Sequence, residues 1–211
     1  MKRCIIVGAG EFFPGCAIHK NPGDFLIAAD GGYKYLKDLN LTPDLLVADF
    51  DSLTVSAPAD IPVLRFQSEK DDTDMGLAIS EGVRRGYAEF YLYGGTGGRQ
   101  DHTFANYQAL IHLARQGMRG YLVGESSLTT AVCNSEIKLN PLPTGFVSVF
   151  AADNQCEGVS IKGLKYEVDR APLTNDFPLG VSNELIGKPA AISVERGTLL
   201  IFCPIGAVAE N

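Results

Sequence analysis

Across the first 125 residues the apolar positions fall in short, nearly continuous runs. CIIV, FLIAA, DLLVA, VLRF, EFYLY and GYLVG read as strands covered on both faces, because a strand with one wet face would alternate apolar and polar residues. Helical patterns lie between them. In DTDMGLAISEGVRRG, Met75, Ala78, Ile79, Gly82 and Val83 follow the spacing of one helix face, with Asp72 or Thr73 as N-cap. In DHTFANYQALIHLARQG, Phe104, Tyr107, Ile111 and Ala114 form a stripe that Gly117 stops. Strand and helix in alternation predict an α/β domain over residues 1–126, mostly parallel, Rossmann-like and three-layered, with its ligand site at the carboxyl ends of the strands. After Glu125 the pattern changes. TTAVCNSEIKLN, GFVSVFAAD, EGVSIKGLKYEVD, AAISVERG and GTLLIFCP are short, β-branched or alternating, and broken by Pro, Gly and Asn. They predict a small all-β sandwich over residues 127–211, with the boundary in GESSL.

Composition narrows the range of partners. With 45% hydrophobic and 20% charged residues among 211, the chain has the material of a globular protein rather than a disordered one. A formal net charge of -7, with no run of Lys or Arg, argues against a nucleic-acid surface or a membrane-surface helix and points to a small ligand. The five cysteines, Cys4, Cys16, Cys133, Cys156 and Cys203, are scattered and lack CxxC or Cys/His ligand spacing. They read as reduced thiols of a cytoplasmic protein. MKRCIIVGAGEF is too short for a secretory core, and no later apolar run reaches the length of a membrane span.

Candidate chemistry gathers at the strand ends. In VADFDSL, Asp49 and Asp51 would project to one side of an extended segment about 6 to 7 Å apart. Their repulsion, roughly 2 to 3 kcal/mol at an effective dielectric near 20, would be removed by a bound cation; the plainer reading is a pair of solvated loop acids. AADGG brings Asp30 and Gly31 to a strand end, where a simple turn is the alternative. KDDTD crowds Asp71, Asp72 and Asp74 around a helix start, more carboxylates than capping needs. YGGTGGRQDH places Gly95, Thr96, Gly97, Gly98 and Arg99 between a strand and a helix. Glycines there let backbone N–H groups approach phosphate oxygens, and Arg99 adds a planar cation. The loop lacks the GK[ST] of a Walker P-loop, and GAG at residues 8–10 is too short for a dinucleotide fingerprint. Several carboxylates and an arginine-bearing glycine loop on one sheet edge suit Mg2+ and a polyphosphate.

PDLLVADFDS, KDDTD and GGTGGRQDH, in that order, resemble the catalytic domain of the thiamine pyrophosphokinase family, and GLKYEVD and GVSNE resemble its thiamine-binding β-domain. The resemblance spans nearly the whole chain. It implies a Mg2+-dependent transfer of a diphosphoryl group from ATP to the hydroxyethyl oxygen of thiamine, leaving AMP, in a homodimer with thiamine at the subunit interface. Asp49, Asp51 and Asp74 fall on the metal-associated acids, and Arg99 and Asp101 on the glycine-loop pair near the nucleotide. Asp30, Gly31, Asp71, Thr73, Gly95, Thr96, Gly97, Gly98, Arg99 and His102 are expected on the ATP side. Tyr166, Ser182 and Asn183 are expected on the thiamine side. Asp71 or Asp101 would accept the hydroxyl proton, and His102 is equally suited to capping or acid–base work. Two departures stand out: Ala48 where many members have Gly, and Tyr166 where many have Trp, in a chain with no Trp. Two rivals are a DxD-type phosphatase and a non-catalytic nucleotide or vitamin sensor. The phosphatase motif normally follows the first strand of its domain, whereas DFDS here follows the third.

Overall fold

The computed structural model describes residues 2–13, 15, 17–49, 60–66 and 72–208, and of Asp49 and Phe66 the backbone. The fold is mixed α/β, with a large sheet and a second, four-stranded antiparallel sheet. Two compact units divide the chain: Met1–Asn106 with Leu122–Glu125, and Tyr107–Tyr121 with Ser126–Asn211.

In the first unit, β1 (Cys4–Val7), β2 (Phe25–Ala29), β3 (Leu45–Asp49), β4 (Val63–Phe66) and β5 (Glu89–Tyr93) are parallel in the order β5-β1-β2-β3-β4. Register pairs Cys4 with Phe25 and Phe90, Ile27 with Leu45, and Leu46 with Val63. All of β1 and most of β2 and β5 are buried, as continuous apolar runs require. Helix α1 (Gly32–Asp38) is too short to show a stripe in the sequence and buries Leu36. Only glycine fits at its start: a Cβ on Gly32 would lie 1.9 Å from the Val7 carbonyl oxygen.

Helix α2 (Asp74–Arg84) starts at the expected cap, with Thr73 Oγ1 accepting from Gly76 N at 3.0 Å. It buries Met75, Ala78, Ile79 and Gly82 as anticipated, but Glu81 is buried and Val83 is half-buried. Ion pairs to Arg84 and Arg85 compensate the buried carboxylate. Helix α3 (Gln100–Arg115) corrects the expected stripe. Asn106, Leu110, Leu113 and Ala114 are its buried residues, while Phe104 is 63% exposed. The frame of the buried face therefore starts from a polar residue, which hydropathy alone does not select.

Strand β6 (Arg119–Val123) follows α3. In the second unit, β7 (Ser127–Cys133), β9 (Phe146–Ala151), β12 (Gly180–Glu184) and β14 (Thr198–Pro204) pair antiparallel in the order β12-β9-β14-β7. The four-stranded sheet joins β8 (Glu136–Leu139), β10 (Gln155–Lys162), β11 (Val168–Thr174) and β13 (Ala190–Ser193) in the order β11-β10-β13-β8. The run EGVSIKGLKYEVD, expected as one segment, is split: β10 ends at Lys162, Gly163 turns the chain at φ +77°, and β11 begins at Val168. Tyr166 sits in that turn.

Candidate active site

A cavity of about 270 Å3 opens in the first unit, where the loops after β1, β2 and β5 meet the N-terminal parts of α2 and α3. Parallel strands deliver these loops to one edge, as the switch-point rule requires. Asp30, Thr73, Asp74, Gly95, Gly97, Gly98, Arg99 and His102 line it, all of them expected from the sequence. Asp30 closes β2 in a left-handed conformation, φ +49°, which only glycine and a few short polar residues adopt readily. Gly31 caps α1 beside Ala9, where a Cβ would come within 3.1 Å of the Ala9 Cβ. Asp49 is the last residue of β3, and Asp51 and Asp71 lie outside the described residues.

The glycine loop between β5 and α3 is left-handed at Gly94, Gly97 and Gly98, with φ +59°, +76° and +60°. Thr96 forms an isolated bridge with Glu11. Among the described residues, nothing accepts a hydrogen bond from the N–H groups of Gly95, Gly97 or Gly98. Successive N–H donors in such a conformation form a concavity suited to an anion. Arg99 is exposed and forks onto Asp101, Nε to Oδ1 at 3.2 Å and a terminal nitrogen to Oδ2 at 2.6 Å. That hydrogen bond holds the Asp101 carboxyl below its ordinary value. Asp101 itself is not part of the cavity wall.

Sequence reasoning missed Gly8, Ala9, Gly10, Met75 and Asn106, which with Ala29 and Gly94 complete the lining. The GAG segment, too short for a dinucleotide fingerprint, lies against the glycine loop. A Cβ on Gly10 would meet the Thr96 oxygen at 2.6 Å, and one on Gly94 the Gly8 oxygen at 2.4 Å. Its position at the exit of the first strand was the available signal.

The expected thiamine-side residues lie together in the second unit. A smaller pocket of about 90 Å3 is lined by Tyr166 and Asn183 with Ile161, Leu173, Leu179 and Val181. Tyr166 is 58% exposed, and Lys165 Nζ stands 5.3 Å from its ring centroid. Ser182 is left-handed, φ +60°, where the β12–β9 register shifts between Gly180 and Asn183. Asn183 is buried, and its amide bonds to the backbone of Tyr166.

Two family models match consecutive stretches of the chain: "Thiamin pyrophosphokinase, catalytic domain" over residues 19–122 and "Thiamin pyrophosphokinase, vitamin B1 binding domain" over residues 134–199. The chain belongs to the thiamin pyrophosphokinase family. Thiamine pyrophosphokinase of Bacillus subtilis is 26% identical over 210 residues, spanning 96% of this chain and 98% of the relative. Its crystal structure superposes with a TM-score of 0.86 at 25% identity, covering 96% of this chain and 99% of that one. The Geobacillus thermodenitrificans thiamin pyrophosphokinase structure follows at 0.85 and 25%, covering 96% and 97%. The stretch matched by the catalytic-domain model contains Asp30, Asp74 and the Gly94–Arg99 loop, and the stretch matched by the vitamin-binding model contains Tyr166, Ser182 and Asn183.

Proposed function

We propose that this chain is a thiamine pyrophosphokinase that transfers a diphosphoryl group from ATP to the hydroxyethyl oxygen of thiamine and releases AMP. What carries the reading is the match of residues 19–122 and 134–199, in that order, to the two domains of one enzyme family. Residues 1–126, read as a Rossmann-like three-layer domain, hold ATP, and residues 127–211, read as a β-sandwich, hold thiamine. The N–H groups of Gly95, Gly97 and Gly98, without an acceptor among the described residues, take phosphate oxygens, with Arg99 as the adjacent cation.

The acid set is chemically suited to Mg2+, which prefers oxygen donors and shares its shell with substrate phosphates. Asp74 lines the cavity, and Asp49 ends β3 at the same sheet edge at which Asp30 follows β2. Asp49, Asp51 and Asp74 would hold the ion, which when bound neutralises phosphate charge. The chain's own part is positioning. In the transfer the thiamine hydroxyl oxygen bonds to the β-phosphorus, the bridge to the α-phosphorus breaks, and the bridging oxygen leaves with AMP. The hydroxyl proton needs a base. Asp101, its affinity for protons lowered by Arg99, is better suited to hold that arginine, which leaves Asp71 as the stronger candidate.

The pocket beside Tyr166 suits thiamine: an aromatic face for a cationic ring, apolar walls, and the Ser182–Asn183 corner. Leu179 and Val181 of its lining are exposed, as are Phe146 and Phe177 elsewhere in the second unit, apolar side chains that support a homodimer with thiamine at the interface. Free cysteines at positions 4, 133, 156 and 203 favour a cytoplasmic location, and no helix among the described residues is long and apolar enough to cross a membrane. Incubation with ATP, Mg2+ and thiamine tests the activity. The expected products are AMP and thiamine diphosphate. ADP with thiamine monophosphate overturns the diphosphoryl transfer, phosphate release alone points to a phosphatase, and no turnover points to a sensor.

A further inference from the structure

Four successive carbonyls, from the last residue of β5 into the loop after it, are each engaged by a donor from elsewhere in the first unit. Tyr93 O accepts from Gly8 N, Gly94 O from Gly10 N, and Thr96 O from Glu11 N, each at 2.8 Å. Backbone donors reach those three. The fourth, Gly95 O, is met by a side chain: Asn106 Nδ2 donates to it at 2.7 Å. Asn106 is 6% exposed, on the buried face of α3, and also lines the cavity.

This pairing sorts the loop by polarity. A carbonyl oxygen left free beside a polyphosphate would repel it, whereas an N–H attracts it. With the carbonyls of residues 93–96 engaged and the N–H groups of Gly95, Gly97 and Gly98 without an acceptor among the described residues, the Gly95–Gly98 stretch keeps these donors available to a ligand in the cavity. An amide suits position 106: it donates to a carbonyl while buried, without bringing a charge. The geometry points to Asn106 as a positioning residue for ATP. By fixing the Gly95 peptide, it presents the neighbouring N–H groups to the polyphosphate. The inference rests on the reading of this cavity as a polyphosphate site.

The first step of the test is titration of the wild-type protein with MgATP by calorimetry, then of Asn106→Leu, which keeps the branched shape and removes the donor. Asn106→Leu is expected to bind MgATP at least tenfold more weakly, and at saturating ATP to keep its KM for thiamine within about twofold. Asn106→Asp adds a signature that packing alone would not produce. Its carboxylate cannot donate to Gly95 O near pH 8 but can once protonated, so its MgATP affinity relative to wild type should recover as pH is lowered towards 5. Should Asn106→Leu fail to fold, this pH-dependent recovery carries the test. Wild-type protein that does not bind MgATP overturns the polyphosphate reading and the inference with it. Wild-type protein that binds, with variants that bind equally well or lose ATP and thiamine affinity alike, overturns the role of Asn106 alone.

Discussion

The side chain of Asn183 closes on the backbone of Tyr166 from both sides: Oδ1 accepts from Tyr166 N at 3.0 Å and Nδ2 donates to Tyr166 O at 2.6 Å. The same Oδ1 accepts from Glu184 N at 2.9 Å. One buried amide thus ties the turn after β10 to the bulged strand β12 and fixes the base of an exposed aromatic ring. Asn183→Ala leaves these backbone groups without partners, at a cost of about 1 to 3 kcal/mol. We expect a clear fall in Tm in a thermal melt and a rise of tenfold or more in the KM for thiamine. The KM for ATP should stay within about twofold, because the hydrogen bonds of the amide lie within the second unit. An unchanged thiamine KM would separate Asn183 from that site.

Tyr166 itself separates binding from stability. Its ring is mostly in solvent, so Tyr166→Ala should shift stability by no more than about 0.5 kcal/mol. Loss of an aromatic face against a cationic thiazolium costs about 0.5 to 2 kcal/mol, a rise in thiamine KM of roughly 2- to 30-fold. Tyr166→Phe should be close to neutral, and Tyr166→Trp should bind more tightly, Trp being the better partner. Steady-state kinetics on the three variants checks the order; equal KM values would place thiamine elsewhere.

The parallel strands of the first unit were legible because burial on both faces makes their apolar runs continuous, and α2 because Thr73 and an apolar stripe coincide. Helix α3 was misread. Phe104 looks like a core residue and Asn106 like a surface one, and the order reverses because Asn106 has a partner, the Gly95 carbonyl, that lies eleven residues back and is visible only in the folded chain. The segment AADGG marked Asp30 as a candidate and the family resemblance marked Ser182, but their left-handed backbones depend on what surrounds them, a strand end and a register shift. Asn183, a thiamine-side candidate through the family resemblance, also holds the Tyr166 backbone through its amide, a contact visible only in the folded chain.

Glu81 gives a pH-dependent test of the α2 core. The hydrogen bond from Arg84, then that from Arg85, holds its carboxyl down at about 2 against the opposing effect of burial, from an ordinary 4.5. A depressed carboxylate contributes stability above its unfolded value and loses it as pH falls through the folded one, so the window is about 4.5 down to 2. Both arginines are partly exposed, which reduces the contribution to about 1 to 2 kcal/mol. Glu81→Gln should melt several degrees lower than wild type at pH 7, with the gap closing towards pH 2. A gap that stays constant with pH would mean that the ion pairs contribute nothing.

Asp74 lies in the first turn of α2, where a carboxylate gains about 0.3 to 1 kcal/mol from the helix dipole. Asp74→Asn should therefore lower Tm by only a few degrees. As a proposed holder of Mg2+ it should lose turnover by a hundredfold or more, since electrostatic stabilisation is commonly the largest catalytic contribution. Activity within about tenfold of wild type would remove Asp74 from the metal set.

The last prediction concerns which chains build a site. The second unit exposes Phe146, Phe177, Leu179 and Val181, the last two lining the pocket with Tyr166, and such exposed apolar side chains suit an interface. In a dimer that shares its thiamine sites, Asp74 of one chain would serve with Tyr166, Ser182 and Asn183 of the other. Asp74→Asn and Asn183→Ala chains, each first shown to be inactive at low thiamine, would then be unfolded together and refolded as a 1:1 mixture. Half the dimers are mixed, and each mixed dimer holds one doubly damaged site and one intact site, so about a quarter of wild-type activity should return. If each site is built within one chain, every site in the mixture carries a substitution and none is restored. Mixed dimers confirmed by mass spectrometry yet without recovered activity would therefore refute the shared arrangement.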